Sequence, residues 1–177
     1  MERINKKIFI DHLLRERNRF ELLLNRVGYA RRMTLKGVSG KWSIKDSLAH
    51  IWAYEQFIAD RMHEILHNHP YTPCKTQTAL DAFLDEYGYP DFGSPLLDDS
   101  SPSEWIMERY KNVSLEDVVA QELQAFSSIV SALEQMSMSA ITHHNIQNRV
   151  VKHTYDHYRK LTREIKHWFT TNGIELK

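Results

Sequence analysis

Apolar residues recur at helical spacing in four stretches of this chain, and no stretch shows the strict alternation of a half-buried strand. From residue 6 to about 32, Ile10, Leu13, Phe20, Leu24 and Val27 step by three, four or seven positions, which is one face of an amphipathic helix. Glycines at 37 and 40 supply a turn, and Ser43 followed by Asp46 has the spacing of a capping box. A second helix starts there, carries Ile44, Leu48, Ile51, Ile58, Met62 and Ile65, and is expected to run to about His67, before Pro70. Ser114 and Asp117 repeat the capping signature ahead of a stripe of Leu115, Val119, Phe126, Ile129, Leu133 and Met136. After a polar break over 137–145, Val150, Thr154, Tyr158, Leu161, Ile165 and Trp168 mark a fourth helix, with Asn172 and Gly173 as its left-handed cap. Four such helices predict an all-α four-helix bundle in a single domain, with 70–112 as a long crossover between helices two and three. All five prolines fall in that crossover, and 78–87 could form a short helix inside it.

A length of 177 residues is enough to bury one continuous core without disulfides. Lysine plus arginine and aspartate plus glutamate are equal at 23 each, so no global field favours nucleic acid or an anionic membrane. Arg31, Arg32, Lys36, Lys41 and Lys45 read as a solvated helix end and loop. Cys74 is the single cysteine and reads as incidental, which fits a reducing, cytoplasmic home. Charge interrupts the first apolar run too early for a signal peptide, and no segment has the ~18 apolar residues of a spanning helix.

Candidate chemistry comes from the histidines. His153 and His157, four apart on one helix, lie about 6 Å from each other and can present two imidazoles to one ion. His50 lies on the shoulder of the second helix's seam and is the best-placed third ligand, in an arrangement that leaves coordination positions open. A lone His-x-x-x-His in a chain with ten histidines is equally at home on a surface. Glu55 and Glu122 interrupt apolar stripes, as Arg17 does on the first helix, so these groups should be paired or open to a cavity. Either they form an internal ion-pair layer, or Glu55 faces a metal-bound water as general base. Tyr54, Tyr155 and Tyr158 are core residues or donors to a substrate oxygen.

The run Lys41-Trp42-Ser43-Ile44-Lys45-Asp46-Ser47-Leu48-Ala49-His50-Ile51, followed by Tyr54-Glu55, resembles the helix-two signature of the DinB-like four-helix proteins, nearest their ClbS/DfsB-like branch. His153-Thr154-Tyr155-Asp156-His157-Tyr158 is similar to the same family's helix-four motif. The resemblance implies a divalent metal, nickel, zinc or iron, held by His50, His153 and His157. It also implies a metal-dependent hydrolase or thiol-dependent transferase acting on a small reactive metabolite, with a low-molecular-weight thiol as a candidate cofactor, and a homodimer. Tyr54 departs from the branch, where tryptophan is common, and this puts a shared substrate in doubt. A non-catalytic metal- or small-molecule-binding stress protein and a structural dimerising bundle stay open as alternatives.

Two competing patterns are weaker. Glu64-Ile65-Leu66-His67 and Glu164-Ile165-Lys166-His167 have the Glu-x-x-His spacing of di-iron carboxylate bundles, but the helical wheel turns Glu64 and His167 to solvent. His143 and His144, in the polar break, could line the mouth of a site. No Gly-rich phosphate loop, Cys-x-x-Cys or Gly-x-Ser-x-Gly motif is present.

Overall fold

A computed structural model describes residues 5–28, 30–68 and 103–177, and the described residues contain helices and no strands. The helices are α1 (Lys6–Val27), α2 (Ala30–Met33), α3 (Ile44–Leu66), α4 (Ser103–Tyr110), α5 (Leu115–Gln135), α6 (Met138–His143), α7 (Ile146–His153) and α8 (Tyr155–Thr171). No described helix is long and apolar enough to cross a membrane.

Local chemistry sets most of the ends. At the start of α1 the Asn5 carboxamide accepts from the Lys7 and Ile8 amides at 3.0 and 3.3 Å, satisfying donors that the helix cannot. The capping box at α3 is complete: Asp46 N–H donates to Ser43 Oγ at 3.1 Å and Ser43 N–H to Asp46 Oδ2 at 2.9 Å. Ser114 accepts from the Asp117 amide at 3.1 Å in the same way. α1 stops at Val27 rather than continuing to 32, because Gly28 takes φ +91° and ψ −146°, a conformation that ends a right-handed helix. Gly173, at φ +64°, supplies the left-handed turn after α8.

α3 is the centre of the molecule. It packs chiefly against α5, and α4, α7, α8 and α2 cover its other sides. Its predicted stripe of Ile44, Leu48, Ile51, Ile58 and Met62 is buried, and so are Asp60, Arg61 and Glu64 on other faces. α1 runs antiparallel to α5, since Lys6 reaches the Glu134 carbonyl at 2.8 Å while Arg17 pairs with Glu122. α1 is parallel to α8, with Glu16 meeting Arg159 and Arg26 meeting Lys177.

Several expectations change. The crossover contains α4, whose Ile106 and Tyr110 are buried; the expected 78–87 helix lies outside the described residues. The 137–145 break holds α6, started by Ser137, whose Oγ accepts from the Ala140 amide at 3.1 Å. Val118, not Val119, faces the core on α5, and Val119 is 44% exposed. The fourth helix divides at Thr154, where φ −117° and ψ −99° fall outside the helical region and the hydroxyl donates to the Val150 carbonyl at 2.6 Å. Glu64 is fully buried instead of solvent-facing. A single helical wheel assumes one buried side, whereas α3 is enclosed on several, and Glu64 pairs with Arg61 inside that packing.

Candidate functional site

α3 and the bent α7–α8 segment bring His50, His153 and His157 together around one tyrosine. The Tyr54 ring lies 4.8 Å from His50, 4.9 Å from His153 and 5.3 Å from His157, centroid to centroid, and is stacked on His153 at 15°. His50 and His157 are 5.4 Å apart, and His153 and His157 6.1 Å. The antiparallel course of α3 and α8 produces this grouping, because positions 50 and 54 oppose 157 and 153.

His50 and His157 sit in a setting that keeps them neutral. Burial, reinforced by the Lys160 and His153 charges, lowers the His50 pKa to about 4. Burial followed by the like charges of His50, His153 and Lys160 lowers His157 to about 3. The Nδ1 atoms of His50 and His157 are buried without a hydrogen-bond partner among the described residues. A cavity of about 170 Å³ opens beside them, lined among others by Trp42, Ser47, His50, His157 and Lys160. Ser47 Oγ is likewise buried and unpartnered among the described residues. Trp42 reaches within 5.6 Å of His50, and Lys160 follows His157 by three positions. Neither was a candidate from sequence; the i,i+3 relation to His157 was the signal available for Lys160.

The residues fit a metal in part. Three imidazoles on one ion, with metal–nitrogen bonds of about 2.0–2.1 Å, place their ring centroids roughly 4.5–5.3 Å apart. His50 and His157 are within a few tenths of an ångström of that separation, while His153 must approach His157 further, with Tyr54 yielding space. Among the described residues no three His, Cys, Asp or Glu side chains already converge as a cage.

Glu55 lies in a different setting. Its Oε1 accepts the Tyr158 hydroxyl, Arg17 donates to that hydroxyl at 3.1 Å, and Arg17 forms a two-point ion pair with Glu122, with Nη2 to Oε2 at 2.7 Å. This is the internal ion-pair layer, sealed by Phe20 stacked on Tyr158 and by Arg17 over the Phe126 ring at 4.7 Å. Burial, then the negative charge of Glu122, raises the Glu55 pKa well above the ordinary carboxyl range. Among the described residues no hydrogen bond joins Glu55 to an imidazole. Tyr155 instead packs edge-on to His12 at 5.2 Å, away from the three histidines.

The other candidates stay apart. His143 and His144 contact each other at 4.8 Å at the end of α6. Glu64 pairs with Arg61, and His67 is an exposed C-cap residue. Lys36 pairs with Asp46, and Arg32 donates to the Glu175 carbonyl at 2.8 Å, which accounts for two members of the basic cluster.

No protein-family model matches the chain, and no curated protein matches it. Among solved structures it is similar to an uncharacterised protein from Escherichia coli UTI89, with a TM-score of 0.61 and 11% identity over 97% of this chain and 94% of that one. At that identity the similarity is one of fold.

Proposed function

We propose that the chain is a DinB-like four-helix bundle, with α1, α3, α5 and the bent α7–α8 segment as its four rods, and that His50, His153 and His157 hold a divalent metal. The observation that carries this reading is the gathering of three imidazoles around Tyr54 beside an open cavity, with two buried Nδ1 atoms unpartnered among the described residues. Unpartnered buried nitrogens cost stability, and a bound ion would offset that cost. The neutrality of His50 and His157 leaves lone pairs for coordination at pH 7.

The reaction class is a metal-dependent hydrolysis or thiol transfer on a small reactive metabolite. A bound ion would supply a polarising charge and lower the pKa of a ligated nucleophile. Around it, Tyr54 would donate to a substrate oxygen, and Lys160 at the cavity wall would attract an anionic nucleophile such as a thiolate. Glu55 acts at a distance as a positioning residue, fixing Tyr158 next to His157 through its hydrogen bond. The alternative is a metal- or small-molecule-binding stress protein that uses the same cavity without turnover, and both readings admit a dimer.

Metal content measured by plasma emission tests the site. Wild-type protein loaded with nickel, zinc or iron should retain close to one ion per chain after desalting, and the His153→Ala variant should retain far less. Equal metal in both would overturn the triad. Turnover of an electrophilic substrate panel, with and without glutathione, then separates enzyme from binder.

A further inference from the structure

A second concavity lies between α1 and α8 and shares no lining residue with the cavity beside His50. Its volume is about 490 Å³, within the range of small-molecule sites. Five cationic side chains line it: Arg19 and Arg26 from α1, and Arg159, Arg163 and Lys166 from α8. One carboxylate, Glu16, faces them, and Arg159 holds it through two bonds at 2.9 and 3.1 Å. In a chain of no net charge this is a pronounced local concentration of one sign.

Three of the five are engaged: Arg159 and, at 3.4 Å, Arg19 meet Glu16, and Arg26 donates to the Lys177 carbonyl at 3.2 Å, whereas among the described residues neither Arg163 nor Lys166 has a salt-bridge partner. The base of the groove is apolar, built from Phe20, Leu23 and Tyr158, with Phe20 stacked on Tyr158 at 4.5 Å. At its rim Leu22 is 55% exposed. Cations on both walls above an apolar base suit a compact, multiply charged anion carried on an apolar body. Opposed guanidinium groups engage a phosphate from two sides, and its near-dianionic charge supplies the counter-charge that Arg163 and Lys166 lack. We infer that this groove binds an organic phosphate monoester with an aromatic or aliphatic body, independently of the histidine site.

The test uses 1-naphthyl phosphate as probe in equilibrium dialysis against the full chain, with 1-naphthol and inorganic phosphate as controls. Saturable binding of the naphthyl phosphate is expected, tighter than either control and weakened at least about tenfold between low and physiological salt. The double variant Arg163→Glu/Lys166→Glu, both positions exposed, should lose at least about tenfold in affinity, and Arg163→Gln/Lys166→Gln should fall between it and wild type. The His153→Ala variant should bind the probe unchanged, so failure of the metal reading leaves this result intact. No saturable binding, or binding that both double variants leave unaltered, would overturn the proposal. Unfolding of the glutamate variant shifts the decision to the glutamine variant.

Discussion

Replacing Arg17 by methionine removes the one cation in the buried layer while keeping an unbranched apolar stem of similar length to that of the arginine. Arg17 is 6% exposed, Glu122 3% and Glu55 0%, so the variant leaves two carboxyl groups in the interior with no counter-charge. Glu55 is already held toward its protonated form by burial. The orphaned Glu122 must also be neutralised: drawing a proton from water at pH 7 onto a carboxyl of ordinary pKa costs about 3.5 kcal/mol, but only about 1 kcal/mol at pH 5. The first figure matches the ~3–5 kcal/mol expected when one partner of a buried pair is removed. Urea unfolding at both pH values should therefore show Arg17→Met losing about 3.5 kcal/mol at pH 7 and markedly less at pH 5. Adding Glu122→Leu should return the pH 7 stability to within about 1 kcal/mol of wild type, because no uncompensated charge remains. A loss below 1 kcal/mol at pH 7, or a double variant no more stable than the single one, would refute this account of the layer.

Glu64 gives a pH prediction of its own. Burial, opposed by Arg61 and Arg149, raises its pKa from 4.5 to about 7, so the folded state holds a proton that the unfolded chain releases. Its contribution is present below pH 4.5 and lost as pH rises through 7; relative to Glu64→Gln, wild type should lose about 1–3 kcal/mol between pH 4.5 and 8, and a constant difference would contradict the shift. A saturating divalent ion at about 100 times its dissociation constant should stabilise wild type by about 2.7 kcal/mol, an effect that chelation reverses and that thermal melts of His153→Ala should not show. Gly28→Ala should cost about 1–3 kcal/mol through its φ of +91° alone, since an added Cβ meets only Lys177 Cδ at 3.9 Å; an unchanged melting temperature would show that the turn relaxes freely.

Much of this protein is legible from its sequence where the cause is local. The capping box at Ser43, the N-cap at Ser114, the stripe Ile44 to Met62 and the turn at Gly173 follow from side chains within a few residues of the structure they create. The all-helical class of the described residues follows from those periods, and the pairing of Arg17 with Glu122 from the cost of burying a lone charge. Tertiary structure decided the rest. Glu64 is buried because α3 is enclosed on several sides, which no wheel drawn for one helix can contain. Glu55 accepts from Tyr158 in the ion-pair layer because of how α1, α5 and α8 rotate about α3. Thr154 bends the segment between His153 and His157, and that bend, with the antiparallel course of α3, puts Tyr54 among three imidazoles. The histidines are visible in the sequence as spacing, but their common neighbour and the basic groove between α1 and α8 depend on contacts between residues about a hundred or more positions apart.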